Sequence, residues 1–344
     1  MNDSRKVLFV THQLAMNIYG GAETQILNYV KYIDKKTTKV QLMNMWQDRI
    51  KDYDIIHIFH LRSFPIESLE IVEYAINHGV KVVVSPIYWR GSRNIRSKLF
   101  ELSRSIFFKL GQPESICCPR KVLESADLIL PNTLEEEKLV RSFFMLKNKR
   151  FKIIPNGVDP SFKLGDPELF VRKYGIQDFV LFVGRIEPRK NVLSLIKTFK
   201  QANIRTKLVI IGKLVDKRYF NSCLKYANND VMFLPPLPHN SEMLKAAYKA
   251  AKVLVLPSLY ETPGLVALEA GLAGANIAVT RVGGTEEYFG KHAWYINPDD
   301  ETSLLDSIFK AYLAPKSVQL SKHIEENFTW CNIVKQLEKT YNSL

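Results

Sequence analysis

The sequence predicts an α/β protein with two doubly wound parallel-sheet domains that face one another, and three observations support this. Short apolar runs rich in β-branched residues alternate with helical patterns throughout the chain, as in parallel sheets covered by helices on both faces. The runs fall into two series, and 344 residues with 46% hydrophobic content suit two domains of about 150 residues each. The segment 154–168, rich in Pro, Gly, Asn and Asp, lies between the series.

Each apolar run is interpreted as one buried strand. The first series consists of "KVLFV", "YDIIHIF", "VKVVVS", "ADLILP" and "FKIIPN", and the second of "DFVLFVG", "TKLVIIG", "DVMFLPP", "AKVLVLPS" and "NIAVT". Near the end of the chain, "FTWCNIVKQLEKTY" has its apolar residues at helical spacing. This stripe predicts a final helix that packs on an already folded part of the chain.

Composition narrows the class of protein. The formal net charge of +13 favours a polyanionic partner, whether nucleic acid, anionic lipid or a phosphorylated substrate. The sequence has no RNA- or DNA-binding signature, so we expect no nucleic acid partner. It also lacks a transmembrane-length apolar run and a signal-peptide core, and its four cysteines form no CxxC pair. We therefore expect a cytoplasmic protein with reduced thiols.

Two loops have residues suited to a phosphorylated ligand. Gly20 and Gly21 lie between the first strand and a helix, where glycines let a ligand approach the backbone and the helix N-terminus favours negative charge. The alternative is a loop that needs glycine only for its conformation, and the pattern is not GxGxxG. In the second series, "FVGRIEPRKN" places Arg185 and Lys190 after a strand, where they either converge on a diphosphate or remain solvated surface charges.

The stretch "ETPGLVALE" places two carboxylates, Glu261 and Glu269, around a predicted helix start. Thr262 suits an N-cap and Pro263 the first helical position, so we expect the helix to begin there and to run through Ala270. Glu261 would then lie in the loop and Glu269 about two turns into the helix.

The first amides of this helix, around Gly264, Leu265 and Val266, suit a phosphate, and the carboxylates suit paired hydroxyls of a ribose or sugar ring. Two glutamates at this spacing also occur by chance.

Taken together, the motifs resemble a known family. "GGAE", "IIPNGVD", "VGRIEPRKN", "LVIIG", "VLPSLYETPGLVALEAGLAG" and "RVGGTEEYFG" occur in the order and spacing of the retaining GT-B glycosyltransferases of family 4. The resemblance covers nearly the whole chain and is more specific in the second half. It implies an acceptor-side domain at 1–160, a nucleotide-sugar-binding domain at 161–325, and a helix at 326–344 that crosses back to the first domain.

The resemblance also implies roles for single residues. Glu261 would contact the hydroxyls of the donor sugar, Glu269 would hold the ribose, and Arg185 and Lys190 would grip the donor diphosphate. Arg185, Lys190 and Glu261 are therefore the expected catalytic residues. The other expected donor-binding residues are Gly20, Gly21, Gly184, Gly264, Leu265 and Val266.

Two departures from the family pattern affect specificity. The common Gly-Phe-Gly after the first glutamate is replaced here by Thr262, Pro263 and Gly264, which leaves the sugar preference open. Many relatives have a histidine where this chain reads "VVVSPIYWR". The acceptor-side candidates are instead His12, His60 and Tyr88, with His57 nearby, although a histidine at a strand end is often a structural hydrogen-bonder.

No metal or other cofactor is expected. Metal-dependent glycosyltransferases hold a divalent cation with an acidic pair that follows a strand. "DYD", residues 52–54, has the right composition but precedes its strand, so its side chains would lie at the wrong edge of the sheet. Positive side chains and a helix dipole would take the role of the metal.

Residues 90–110 predict a basic amphipathic helix with its apolar residues on one face. One interpretation is peripheral contact with the inner face of a membrane that carries anionic lipid and lipid-linked sugars. The other is a helix that covers the first domain and has a solvated basic back.

From these features we expect a metal-independent, retaining hexosyltransferase. It would move a sugar from a nucleotide-diphosphate sugar to a hydroxyl of a glycan or lipid-linked acceptor, in cell-surface polysaccharide or glycolipid assembly. The alternatives are a non-catalytic nucleotide-sugar-binding subunit and a GT-B-like sugar-nucleotide epimerase.

Overall fold

The computed structural model describes residues 4–15, 17, 20–61, 63–89 and 114–344, with only the backbone at 114–116. The chain divides into two compact units. Unit 1 contains residues 1–155 and 330–344, and unit 2 contains residues 156–329. The final segment of the sequence therefore belongs to the first unit.

Unit 1 is built on a parallel sheet of order β2-β1-β3-β4-β5. The strands are β1 (Arg5–Val10), β2 (Thr38–Leu42), β3 (Ile55–Phe59), β4 (Lys81–Ser85) and β5 (Leu128–Ile129). The described helices are α1 (Gly21–Tyr32), α2 (Pro65–Asn77), α3 (Glu114–Ser125), α4 (Leu134–Phe144) and, from the end of the chain, α13 (Trp330–Tyr341). All five β3 residues are buried, as expected for a central strand covered on both faces.

Unit 2 has a second parallel sheet, of order β11-β10-β9-β6-β7-β8. Its strands are β6 (Val180–Val183), β7 (Leu208–Ile211), β8 (Val231–Leu234), β9 (Val253–Leu256), β10 (Asn276–Thr280) and β11 (Trp294–Ile296). The helices are α5 (Pro167–Tyr174), α6 (Val192–Gln201), α7 (Lys217–Tyr226), α8 (Glu242–Ala250), α9 (Leu265–Ala273), α10 (Thr285–Phe289), α11 (Glu301–Leu313) and α12 (Val318–Asn327). Short 3-10 turns occur at Ile50–Asp52 in unit 1 and at Pro160–Leu164, Pro188–Lys190 and Gly290–His292 in unit 2.

The predicted fold class, with two parallel-sheet units, is confirmed, and nine of the ten predicted runs form strands. The exception is "FKIIPN", which the structure reduces to one bridge between Ile129 and Phe151. The sequence analysis missed the edge strands β2 and β11. β2 alternates between buried and exposed residues and β11 is three residues long, so neither gives a continuous apolar run.

The final helix, α13, packs inside unit 1. The ring of Trp330 meets that of Tyr29 on α1 edge to face, with 5.9 Å between centroids. The hydroxyl of Tyr341 lies 2.6 Å from Nδ1 of the buried His57. These contacts join α13 to both α1 and β3 of unit 1. Within the described residues, no helix is long and apolar enough to cross a membrane.

Candidate functional site

The candidate site in unit 2 lies at the carboxyl ends of two adjacent strands, β6 and β9. The loop after β6 contains Gly184, Arg185 and Lys190, and the loop after β9 contains Glu261. Because these strands pair directly, their following loops meet at one edge of the sheet, where open α/β sheets bind ligands. The strand order thus joins two motifs that are about 70 residues apart.

Lys190 and Glu261 form an ion pair at this edge. The Nζ of Lys190 donates to Oε1 of Glu261, and the two side chains are only 13% and 7% exposed. Burial alone would raise the pKa of the Glu261 carboxyl. The positive charges of Lys190 and Arg189, with hydrogen bonds from Lys190 and Ser258, more than offset this effect and lower its pKa. The carboxylate is therefore held ionised.

The backbone around Glu261 is fixed by a turn after β10. The Glu261 amide donates to the carbonyl of Val282 (3.0 Å), and the Gly284 amide donates to the carbonyl of Glu261 (3.1 Å). Gly283 between them has φ +105°, and a Cβ there would lie 2.0 Å from the Glu261 carbonyl oxygen. Only glycine fits so close to the carboxylate-bearing loop. The sequence analysis included "RVGG" in the resemblance and did not assign this role.

The helix after Glu261 begins later than predicted. α9 starts at Leu265, with Gly264 as its N-cap at φ +79°, so the prediction of a Thr262 cap and a helical Pro263 was wrong. Glycine suits this position because φ is positive there, and an added Cβ would also lie 2.6 Å from Cδ2 of Leu256. The half-buried Leu265 and Val266 are the first two residues of the helix, and their amides belong to the turn that lacks intrahelical partners.

The loop after β6 also depends on a close backbone approach. Gly184 has φ +154°, and a Cβ on Gly212, at the end of β7, would lie 1.7 Å from the Gly184 carbonyl oxygen. The Gly184 amide donates to the carbonyl of Ile211 (3.0 Å). Arg185 follows as an exposed residue, and the next turn, Pro188–Lys190, contains Lys190. The loop therefore presents one exposed and one half-buried cation.

Glu269 lies in the second turn of α9 and is buried. Its Oε2 accepts a hydrogen bond from the hydroxyl of Tyr248 (2.6 Å), and its Oε1 lies 2.9 Å from Nε2 of His239. Burial, and then the Glu269 charge, raise the pKa of Tyr248 well above its usual value, so the phenol remains a proton donor. The sequence analysis missed both partners because they belong to other elements, the β8–α8 loop and α8.

In unit 1, the two glycines lie at the start of α1. Gly20 is the N-cap residue, and its carbonyl accepts from both the amide and the hydroxyl of Thr24. Gly21 is the first helical residue and is exposed. The buried Glu23 lies in the same first turn.

Two of the three acceptor-side candidates lie together near Glu23. Nε2 of His12 is 3.4 Å from Oε1 of Glu23, and the rings of His12 and His60 meet edge to face with 5.5 Å between centroids. His60 follows β3 with φ +64°, which is uncommon for a residue other than glycine. Burial, partly opposed by the charge of Glu23, lowers the pKa of His60, which favours the neutral imidazole. The sequence analysis quoted "GGAE" and gave its glutamate no role.

The other unit 1 candidates are placed differently. Tyr88 is buried against Phe143 and Phe144, with ring centroids 5.2 and 5.4 Å away. His57 lies between Tyr341 and the hydroxyl of Ser85, and burial lowers its pKa to about 3. Both residues are therefore part of the packed interior of unit 1.

The acidic "DYD" segment has a structural role. Asp54 precedes β3, and its Oδ2 accepts from the amide of Lys6 at the start of β1 (2.8 Å). It thus lies at the amino ends of the strands, away from the His12 and His60 edge. In the described part of the chain, no three His, Cys, Asp or Glu side chains are grouped to hold a metal ion. The basic segment 90–110 lies outside the described residues.

Comparisons of the sequence with known proteins find similarity to glycosyltransferases. The chain is 34% identical over 243 residues to an uncharacterized glycosyltransferase of Methanocaldococcus jannaschii, covering 63% of this chain and 60% of that protein. It is 27% identical over 260 residues to D-inositol 3-phosphate glycosyltransferase of Corynebacterium urealyticum, covering 68% and 61%. The chain therefore spans less than two thirds of the length of these relatives.

Solved structures share the fold over nearly the whole chain. Sucrose-phosphate synthase from Thermosynechococcus elongatus superposes with a TM-score of 0.75, covering 99% of both chains at 16% sequence identity. Anabaena HepE, solved with UDP and glucose, gives a TM-score of 0.72, covering 99% of this chain and 100% of its own, also at 16% identity. The model of the family described as Glycosyl transferases group 1 matches residues 170–328, which include all the unit 2 site residues. The chain has the GT-B fold of two parallel-sheet units, and its residues 170–328 match the model of the Glycosyl transferases group 1 family.

Proposed function

We propose that the protein is a retaining glycosyltransferase that moves a sugar from a nucleotide-diphosphate sugar to an acceptor hydroxyl. The observation that carries this proposal is the buried pair of Lys190 and Glu261 beside the start of α9. A cation, an ionised carboxylate and first-turn amides together suit a diphosphate next to a hydroxyl-rich ring. A structural neighbour supports this proposal, since HepE has been solved with UDP-glucose.

Arg185 and Lys190 would stabilise the charge that develops on the leaving diphosphate, with the amides of Leu265 and Val266 as further donors. Glu261 would accept hydrogen bonds from the hydroxyls of the donor sugar, and Glu269 from those of the ribose. The reaction would retain the anomeric configuration without a protein nucleophile, because a donor phosphate oxygen can take the acceptor's proton. Since cations and helix amides supply the positive charge, the reaction would need no metal.

His12 and His60, with Glu23 beside them, would contact the acceptor. Their imidazoles lie at the carboxyl edge of the unit 1 sheet, which is the edge where such sheets bind ligands. We propose a glycan or lipid-linked acceptor, in cell-surface polysaccharide or glycolipid assembly. The basic residues of 90–110 would hold the protein on the inner face of a membrane that contains such acceptors.

Donor hydrolysis in Arg185→Ala tests the donor site. Loss of a charge-assisted contact to the leaving group should raise the activation free energy by about 2–4 kcal/mol, which lowers the rate roughly 30- to 1000-fold. Folding should be unaffected, because Arg185 is exposed. Arg172→Ala, which removes an exposed arginine from α5, is the matched control. Equal rates in the two variants would exclude this role for Arg185.

The same assay, run with and without acceptor extracts, separates the alternatives. A transferase releases nucleotide diphosphate faster when its acceptor is present. A non-catalytic subunit binds the nucleotide sugar and releases none, and an epimerase converts the sugar without needing an acceptor.

A further inference from the structure

The carboxylate of Glu269 contacts two aromatic side chains from other elements, and a third aromatic ring packs against both of them. Its Oε2 accepts from Tyr248 on α8, and its Oε1 contacts His239 in the loop before α8. Phe162, from the 3-10 turn Pro160–Leu164, meets both rings, with 5.7 Å from its centroid to each. We call Phe162, His239 and Tyr248 the carboxylate clamp.

The clamp is rigid for identifiable reasons. Tyr248 and Phe162 are fully buried, so packing fixes their rotamers. The turn that contains Phe162 is capped by Asp159, whose side chain accepts from the Ser161 amide (2.9 Å). His239 alone is partly exposed, at 31% of its side chain. Tyr248 and Phe162 thus belong to the interior of unit 2, whereas His239 connects the Glu269 carboxylate to the protein surface.

The clamp uses only part of the acceptor capacity of Glu269. An ionised carboxylate has two oxygens with about four lone-pair positions. One position on Oε2 is taken by Tyr248, and one on Oε1 by His239. One position therefore remains on each oxygen, at the spacing that two vicinal hydroxyls can reach.

We infer that the carboxylate clamp presets Glu269 to accept both ribose hydroxyls of the donor, so that His239 and Tyr248 are positioning residues that select ribonucleotides over deoxyribonucleotides. This inference rests on the proposed function, which assigns Glu269 to the ribose. A preset carboxylate favours a diol, because the deoxy analogue leaves one desolvated oxygen without its hydrogen bond.

Calorimetric titration with nucleotides tests the inference. The probe is whichever of UDP, GDP and ADP the wild-type protein binds most tightly, together with its 2′-deoxy and 3′-deoxy forms. We expect the wild type to prefer the ribonucleotide by about 10- to 100-fold, the range for hydrogen bonds to a charged group. Tyr248→Phe and His239→Ala should each reduce this preference to about threefold or less, because a carboxylate that lacks one of its two donors can rotate away from the orientation that suits both hydroxyls.

Two further variants separate positioning from general packing. His239→Gln, whose amide N–H can replace the imidazole donor, should restore most of the preference. Tyr288→Phe is the matched control, because Tyr288 is equally buried in unit 2 and its hydroxyl accepts from the Asn156 amide (2.8 Å). It should keep the wild-type preference. In turnover, the clamp variants should raise the donor KM more than they lower kcat, since the ribose contact is the same before and during reaction.

The outcomes separate this inference from the proposed function. An unchanged ribose preference in both Tyr248→Phe and His239→Ala would overturn the inference alone. A wild type that binds none of the three diphosphates would overturn the proposed function and the inference with it.

Discussion

Removing the charge of Lys190 should destabilise unit 2 much more than removing a surface lysine does. Lys190→Met keeps most of the side-chain volume but leaves the 7%-exposed Glu261 without its main counter-charge. Breaking a buried pair in this way costs about 3–5 kcal/mol. For a unit of this size, 1 kcal/mol corresponds to about 2–4 °C, so the Tm of unit 2 should fall by roughly 10 °C.

Two further variants make this prediction specific. Lys190→Met/Glu261→Gln removes both charges and should recover most of the lost stability, because no unpaired buried charge remains. Lys207→Met breaks an exposed pair with Asp230, whose side chains are 36% and 53% exposed, and should cost under about 1 kcal/mol. Calorimetric unfolding measures all three. A double variant as unstable as Lys190→Met, or equal losses in Lys190→Met and Lys207→Met, would refute the burial argument.

Three other predictions concern the pH dependence of unit 1 stability, the metal dependence of activity and the binding to membranes. The pKa of His57 is about 3 in the folded chain and about 6.5 when unfolded, so the unfolded chain binds more protons between these values. The free energy of unfolding should not depend on His57 above pH 6.5, and it should fall by about 2 kcal/mol between pH 6.5 and 5, relative to His57→Gln. Hydrogen exchange of the β3 amides measures this free energy. An identical pH dependence in the wild type and in His57→Gln would contradict the prediction. Transfer activity should survive a chelator, whereas a loss restored by magnesium or manganese would show a metal requirement. If residues 90–110 contact a membrane, the protein should bind anionic vesicles with about 1 kcal/mol per basic residue, and more weakly as the salt concentration rises. Replacing Arg93, Arg96 and Arg104 with Glu should release the protein from the vesicles. Absence of vesicle binding by the wild-type protein would exclude the contact.

The fold could be predicted because a buried parallel strand consists mainly of consecutive apolar residues, which are visible in the sequence. β9 is a continuous apolar run and β3 is interrupted only by the buried His57, since helices cover both faces of each sheet. The edge strand β2 has one exposed face, so its residues alternate in burial and it lacks the continuous apolar run by which other strands were predicted. The start of α9 was predicted incorrectly because Thr262 and Pro263 fit local capping rules. In the structure the chain reaches helical geometry only at Leu265, after Gly264 at φ +79°, a backbone conformation that the capping rules for Thr and Pro do not anticipate.

The candidate site could be predicted only in part, for a similar reason. The charged residues Arg185, Lys190, Glu261 and Glu269 stand in recognisable motifs, and their roles remain predictions. The groups that hold them in place are distant in sequence. Tyr248 and His239 lie 21 and 30 residues from Glu269, and only the folded unit reveals these contacts.

The position of α13 has a consequence for how the chain folds during synthesis. Unit 2, residues 156–329, is translated in full before the helix that completes unit 1. Until then, the faces of Tyr29 and His57 that receive Trp330 and Tyr341 lack these partners. Because synthesis proceeds from the N-terminus, unit 2 can fold while unit 1 still lacks its final helix and remains a folding intermediate. Residues 330–344 then supply the Trp330–Tyr29 and Tyr341–His57 contacts and complete the packing of these side chains in unit 1.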